Sequence, residues 1–222
     1  MKSAALIATP DDFARTFSVS RETVERLETY AALLRLWQKT INLVAPSTLD
    51  DIWHRHFADS AQLLALAPPA AERWLDLGSG AGFPGLVLAI LLADRGSSRV
   101  TLIESDTRKA AFLAEVARKT GVAVDIRGSR IEKSATQAKL GPVDVVTARA
   151  LAPLPRLLDI SAPFFSGPTM GLFLKGREAE AEVEAARKLW DFEPELTPSL
   201  TDASGRIVVI RALNAKTEGH AR

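Results

Sequence analysis

Between Ser20 and Ala45, apolar residues recur at spacings of three and four (Val24, Leu27, Ala31, Leu34, Ile41), which predicts a helix with Ser20 as N-cap and Pro46 as its stop. A second helical stretch, Ile52 to Ala67, runs into Pro68-Pro69, and no strand pattern precedes residue 74, so residues 1–70 read as a helical cap. The pattern then changes to short apolar runs: Trp74–Leu77, Val100–Glu104, Val122–Ile126, Val143–Ala148 and Met170–Leu174 read as strands buried on both faces. Helical patterns fill the gaps, over Gly85–Arg95, Thr107–Thr120, Glu132–Leu140, Leu154–Phe165 and Arg177–Trp190. Such alternation predicts an α/β, Rossmann-like domain over residues 71–213, a parallel sheet with helices on both faces and a ligand at the carboxyl ends of its strands. Phe192–Leu196 and Arg206–Ala212 flank the turn-rich Thr201-Asp-Ala-Ser-Gly205 with no helix between them, which predicts a C-terminal antiparallel hairpin before a polar tail, residues 214–222.

Composition removes several classes of function. A chain of 222 residues with 47% hydrophobic and 25% charged residues fits one globular domain with a modest extension. It has no cysteine, which excludes disulfides, thiolate zinc sites and a cysteine nucleophile, and suits a reducing cytoplasm. The apolar run Ala4–Ala8 is shorter than the ~7–15 residues of a signal-peptide core. Gly85–Ala93, the longest, is far below the ~20 that span a bilayer, so no membrane association is expected. Net charge is +1, but residues 74–176 carry 13 basic and 9 acidic side chains, a modest surplus that suits an anionic substrate.

The most informative stretch is Asp76-Leu-Gly78-Ser-Gly80-Ala-Gly82-Phe83-Pro-Gly85, which follows the first strand and opens a helix. Glycines there allow positive φ and close approach of a ligand to the backbone. Gly80, Gly82 and Gly85 match the dinucleotide spacing, yet Pro84 lacks an N–H, so the loop offers a pyrophosphate fewer donors. Asp76, two residues before the first glycine, suits a ligand carrying an ammonium or a sulfonium, and S-adenosylmethionine carries both. Glu104 ends the second strand, where an acid accepts hydrogen bonds from ribose hydroxyls. After the third strand, Ile131 is placed to cover an adenine ring while the backbone around Glu132 reads its edge. Arg149 ends the fourth strand, beside where donor and acceptor should meet, and Lys175 ends the fifth. His54 and His56, two apart on a helix, point to different faces, so no metal site is expected.

At this point the chain resembles a known family. The loop, together with Trp37-Gln-Lys-Thr-Ile-Asn42-Leu, Arg55-His-Phe-Ala-Asp-Ser60, Thr147-Ala-Arg149-Ala and Leu174-Lys-Gly176, is similar to the bacterial guanine-N7 methyltransferases of small-subunit ribosomal RNA, formerly called glucose-inhibited division protein B. The resemblance runs from about Leu33 to Leu213; Gln38 and Val44 depart from it, standing where Asn or Lys and Thr are common. It implies a seven-stranded methyltransferase sheet, S-adenosylmethionine as methyl donor, and a guanine of 16S ribosomal RNA as acceptor. It maps cofactor positions onto Gly78, Phe83, Ile131, Glu132 and Arg149.

Chemistry narrows the acceptor atom independently. Methylating a pyrimidine carbon needs a covalent nucleophile, usually cysteine, and amine methylation commonly uses an Asn/Asp-Pro-Pro-aromatic motif where this chain has Thr147-Ala-Arg-Ala-Leu151. Purine N7 carries a lone pair and no proton, so it needs alignment and no base. Arg commonly reads the guanine O6 and N7 edge, but a nitrogen under methylation cannot also accept a hydrogen bond. That leaves Arg149 to contact O6, a phosphate or the cofactor's carboxylate. With so modest a surplus of charge, the expected partner is ribosomal RNA preformed in the assembled small subunit. Two other readings stay open: an NAD-dependent oxidoreductase, which would need a proton donor although the only Tyr, Tyr30, lies in the cap, and a non-catalytic RNA-binding protein on the same fold.

Overall fold

The computed structural model describes residues 6–133 and 140–216. Two helices open it, α1 (Pro10–Phe17) and α2 (Arg21–Trp37). The apolar spacing did not reveal α1, but its N-terminal signal is in the sequence: the Thr9 hydroxyl accepts from Asp12 N and the Asp12 carboxylate from Thr9 N, each at 3.1 Å, with Pro10 opening the helix. Ser20 caps α2 as expected, accepting from Thr23 N at 3.2 Å. The helix nevertheless ends at Trp37 instead of continuing to Ala45. Gln38 ends it, because its Oε1 accepts from Leu43 N and Val44 N at 3.0 Å each while its Nε2 donates to Val44 O at 2.8 Å. One side-chain amide thus folds the next six residues into a loop. The stretch expected as a single helix over Ile52–Ala67 is wound three ways: a π-helix over Trp53–Ala58, one α turn (α3, Asp59–Ala61) and a 3₁₀ turn over Gln62–Ala65.

The sheet contains β1 (Arg73–Leu77), β2 (Arg99–Ile103), β3 (Asp125–Arg127), β4 (Val145–Arg149), β5 (Met170–Lys175), β6 (Trp190–Pro198) and β7 (Arg206–Ala215). Their order is β3-β2-β1-β4-β5-β7-β6, with the first five parallel and β7 running antiparallel to both β5 and β6. The hairpin therefore pairs as expected, although its outgoing strand is longer and reaches Ala215, into the segment expected as tail. β3 is shorter than expected because Val122 belongs to the end of the preceding helix: Gly121 turns left-handed at φ 68°, and Val122 N donates to Ala117 O at 3.1 Å. The crossing helices are α4 (Gly85–Leu92), α5 (Thr107–Thr120), α6 (Leu154–Ser161) and α7 (Ala179–Ala186). Most of the helix expected over Glu132–Leu140 lies outside the described residues.

Period-two alternation on the strands divides the core. Trp74, Leu102, Val145 and Leu172 face α4, α5 and the N-terminal cap, while Leu75, Leu77, Ile103, Val146 and Phe173 face α6 and α7. Helix α4 is almost wholly buried, because the cap covers the side that would otherwise meet solvent. Leu27, Tyr30 and Leu34 of α2 join α4 and α5 in a single apolar cluster, so the cap shares the core of the sheet. Leu27→Ala should therefore cost about 2–5 kcal/mol and lower the melting temperature of one cooperative transition. Two separate transitions by calorimetry, with only the cap shifted, would contradict a shared core.

Candidate functional site

The order in which the chain adds strands reverses between the parallel neighbours β1 and β4, the place where open α/β sheets bind ligands. The loop after β1 is held there from several sides. Gly80 N donates to Glu104 Oε2 at 2.8 Å, and the other oxygen of the same carboxylate accepts from Asp106 N at 2.7 Å. Ser79 N donates to Ile103 O at 3.0 Å, and from the cap the buried Tyr30 hydroxyl donates to Ala81 O. Gly78 and Gly80 adopt φ of 64° and 56°, which a side chain would oppose, and a Cβ on Gly85 would come within 2.5 Å of Leu102 and Asp76.

The loop, the ends of β2 and β4 and the turn after β3 enclose a cavity of about 500 Å³. Gly78, Gly80, Phe83, Glu104, Ile131, Glu132 and Arg149 all line it, so the structure brings together seven of the eight residues expected there. Glu104 is 8% exposed and holds one backbone N–H on each oxygen, leaving lone pairs to accept from hydroxyls. Ile131 offers a buried apolar face, and the exposed Glu132 carboxylate pairs with Arg156 at 3.1 Å. Lys109 and Leu43, not among the cofactor residues expected from the sequence, also line the cavity.

Asp76 is the exception: it does not line the cavity. Its residue is 1% exposed and faces away from the cavity, into the core beneath α4. Alternation along β1 explains the placement, since Asp76 shares the side of Trp74. Its Oδ1 accepts from Thr147 Oγ1 at 2.7 Å, while Oδ2 has no hydrogen-bond partner among the described residues. Burial pushes its carboxyl up to about 6, against the opposing effects of hydrogen bonds and Arg149.

Arg149 separates this cavity from a second one of about 760 Å³, which extends over the cap, the end of β5 and α7. Its Nη1 donates to Arg55 O at 3.2 Å and meets Asp59 Oδ2 at 3.3 Å, and its guanidinium carbon lies 4.8 Å from the centroid of the Phe83 ring. Phe83 also stacks on His56, with centroids 4.7 Å apart, and on Tyr30, at 5.3 Å. His54 and His56 point apart as expected: His54 Nδ1 accepts from Ile7 N, whereas His56 Nε2 meets Thr48 Oγ1 at 2.8 Å. The Thr48 hydroxyl donates to Ala45 O at 2.7 Å, so His56 must donate through Nε2 and keep a bare Nδ1, which is buried with no partner among the described residues. Burial, with Arg149 and Arg55 nearby, lowers this imidazole to about 3.

Residues 23–208 match the family model described as GidB, rRNA small subunit methyltransferase G. Relatives named Ribosomal RNA small subunit methyltransferase G include one from Parvibaculum lavamentivorans, 50% identical over 92% of this chain and 89% of its own. Another, from Rhodospirillum centenum, is 55% identical over 89% of this chain and 88% of its own. Among solved structures, Aeropyrum pernix fibrillarin in complex with S-adenosyl-L-methionine aligns with a TM-score of 0.54 at 15% identity, over 71% of this chain and 75% of that one. A mutant of MtNAS in complex with S-adenosylmethionine aligns with a TM-score of 0.55 at 15% identity, over 94% and 85%. These two likenesses establish the fold.

The burial of Asp76 makes a testable link to pH. Its folded value lies above its ordinary value of 3.8, so the native state holds the extra proton between the two, and stability falls as pH rises from about 4 to about 6. Relative to Asp76→Asn, the wild-type protein should gain up to about 3 kcal/mol when acidified through this window. A difference in melting temperature that stays constant from pH 7 to pH 4.5 would contradict an uncompensated carboxylate.

Proposed function

The chain belongs to the GidB family of small-subunit ribosomal RNA methyltransferases, and from that membership we propose that it transfers a methyl group from S-adenosylmethionine to N7 of a guanine in 16S ribosomal RNA. The residues of the first cavity fit that cofactor. Glu104 has free lone pairs for ribose hydroxyls, Ile131 presents an apolar face for adenine, and Gly78 and Gly80 keep side chains out of the loop. The unpaired Asp76 oxygen beneath the loop makes its floor electronegative, which favours a cation without touching it. When bound, S-adenosylmethionine supplies an electrophilic methyl group on a sulfonium.

The observation that carries the reading is the shared wall: Gly78, Gly80, Phe83, Glu104 and Ile131 line one cavity, a second and larger one opens beyond it, and Arg149 belongs to both. Held by Asp59, Arg55 O and the Phe83 ring, its guanidinium is fixed where the acceptor base would meet the donor. Transfer to N7 releases no proton at the nitrogen, so the site needs placement only. The imidazole of His56, beside Arg149, is too weak a base for another role near neutral pH. The oxidoreductase reading loses its one phenol, since the buried Tyr30 hydroxyl is committed to Ala81 O. We further propose that the substrate is the assembled small subunit, in the cytoplasm, with no membrane or metal involved.

Deleting the gene and mapping 7-methylguanine in 16S ribosomal RNA by chemical cleavage should remove one modification. Persistence of the full set, or labelled methyl appearing on protein or a small molecule, would overturn the assignment. By calorimetric titration, Glu104→Ala should weaken S-adenosylmethionine binding by ~1.5–3 kcal/mol. Arg149→Ala should lower methyl transfer to small subunits more than it lowers the melting temperature. Equal losses would make Arg149 a structural ion-pair residue.

A further inference from the structure

The second cavity contains a charged pair that positioning of the methyl donor does not use. Lys175, at the end of β5, has a side chain only 8% exposed, and its Nζ donates to Ala152 O at 2.6 Å and to Glu182 Oε2 at 2.7 Å. The same Glu182 oxygen accepts from Leu154 N at 2.6 Å, where α6 begins. The other oxygen, Oε1, has no hydrogen-bond partner among the described residues, and an ammonium with two bonds made keeps a third proton. Both side chains line the cavity. Its other carboxylates are more fully engaged: Asp59 is held by Gln62, Thr201 and Arg149, and Asp202 by Ser204 with Arg55 at 3.5 Å. The wall thus presents one donor beside one acceptor, fixed by two helices and a strand.

That pattern complements one edge of one purine class. A 6-oxopurine places an acceptor, O6, next to a donor, N1–H, whereas adenine places a donor amine next to a bare N1. We propose that Lys175 and Glu182 select the acceptor base, with Nζ donating to O6 and Oε1 accepting from N1–H. The proposal rests on the guanine reading given above and assigns the residues that enforce it. Reading O6 and N1–H leaves N7 free for the methyl group. An adenine would set amine against ammonium and lone pair against carboxylate, leaving the third Nζ proton and Oε1 without a complementary group on the base.

The test titrates GMP, IMP and AMP into the protein saturated with S-adenosylhomocysteine. GMP and IMP share O6 and N1–H and should bind alike, about tenfold to hundredfold more tightly than AMP. Glu182→Gln, whose amide can both donate and accept, should lose most of that preference while binding S-adenosylhomocysteine as before. A merely structural Glu182 would weaken all three nucleotides together and leave their ratio unchanged. Equal affinities for the three in the wild type, IMP behaving like AMP, or no saturable binding of any would overturn the proposal. The wild-type series decides alone if the variant fails to fold by circular dichroism. Methyl transfer to small subunits, measured on the same wild-type preparation, separates the two ideas. Its success beside an unselective nucleotide series sinks only the base-reading pair, and its absence sinks the guanine reading itself.

Discussion

One carboxylate sets the spacing on which the site depends. Glu104 grips Gly80 N–H with one oxygen and Asp106 N–H with the other, tying the loop after β1 to the turn after β2. Charge-assisted bonds to backbone are short and strong, and here both ends are backbone, so the distance between the loops does not depend on a rotamer elsewhere. Tyr30 makes the corresponding link from the cap to Ala81. The cavity is therefore shaped by groups that keep their own hydrogen bonds and still turn lone pairs or apolar surface inward.

The order of strands and helices was legible because the sheet is buried on both faces, so its strands appear as unbroken apolar runs. Where the expectation failed, local hydrogen bonding had overridden periodicity. Gln38 replaced helical hydrogen bonds with its own amide and ended α2 early, and Gly121 drew Val122 into a helix terminus, shortening β3. α1 was written in Thr9-Pro-Asp-Asp12, a capping signal rather than an apolar one.

The candidate site was legible to a similar depth. Residues at strand ends and in the glycine loop gather around one cavity because topology alone brings strand ends together. Asp76 is instructive: its position in the chain suggested ligand contact, but the parity of β1 turns it under α4. The link from Tyr30 was out of reach, since its place depends on how the cap packs against the sheet. The pairing of Lys175 with Glu182 joins a strand end to a helix and has no signature in linear spacing.

Arg149 stands in the walls of both cavities, held by an ion pair, one backbone carbonyl and an aromatic ring. A molecule on either side that draws the guanidinium toward itself alters what the other side encounters. Thermodynamic linkage makes that influence mutual: whatever factor an occupant of the first chamber applies to affinity in the second is returned unchanged. A single side chain in a common wall is thus enough to make the two occupancies cooperative or antagonistic, with no movement of the sheet.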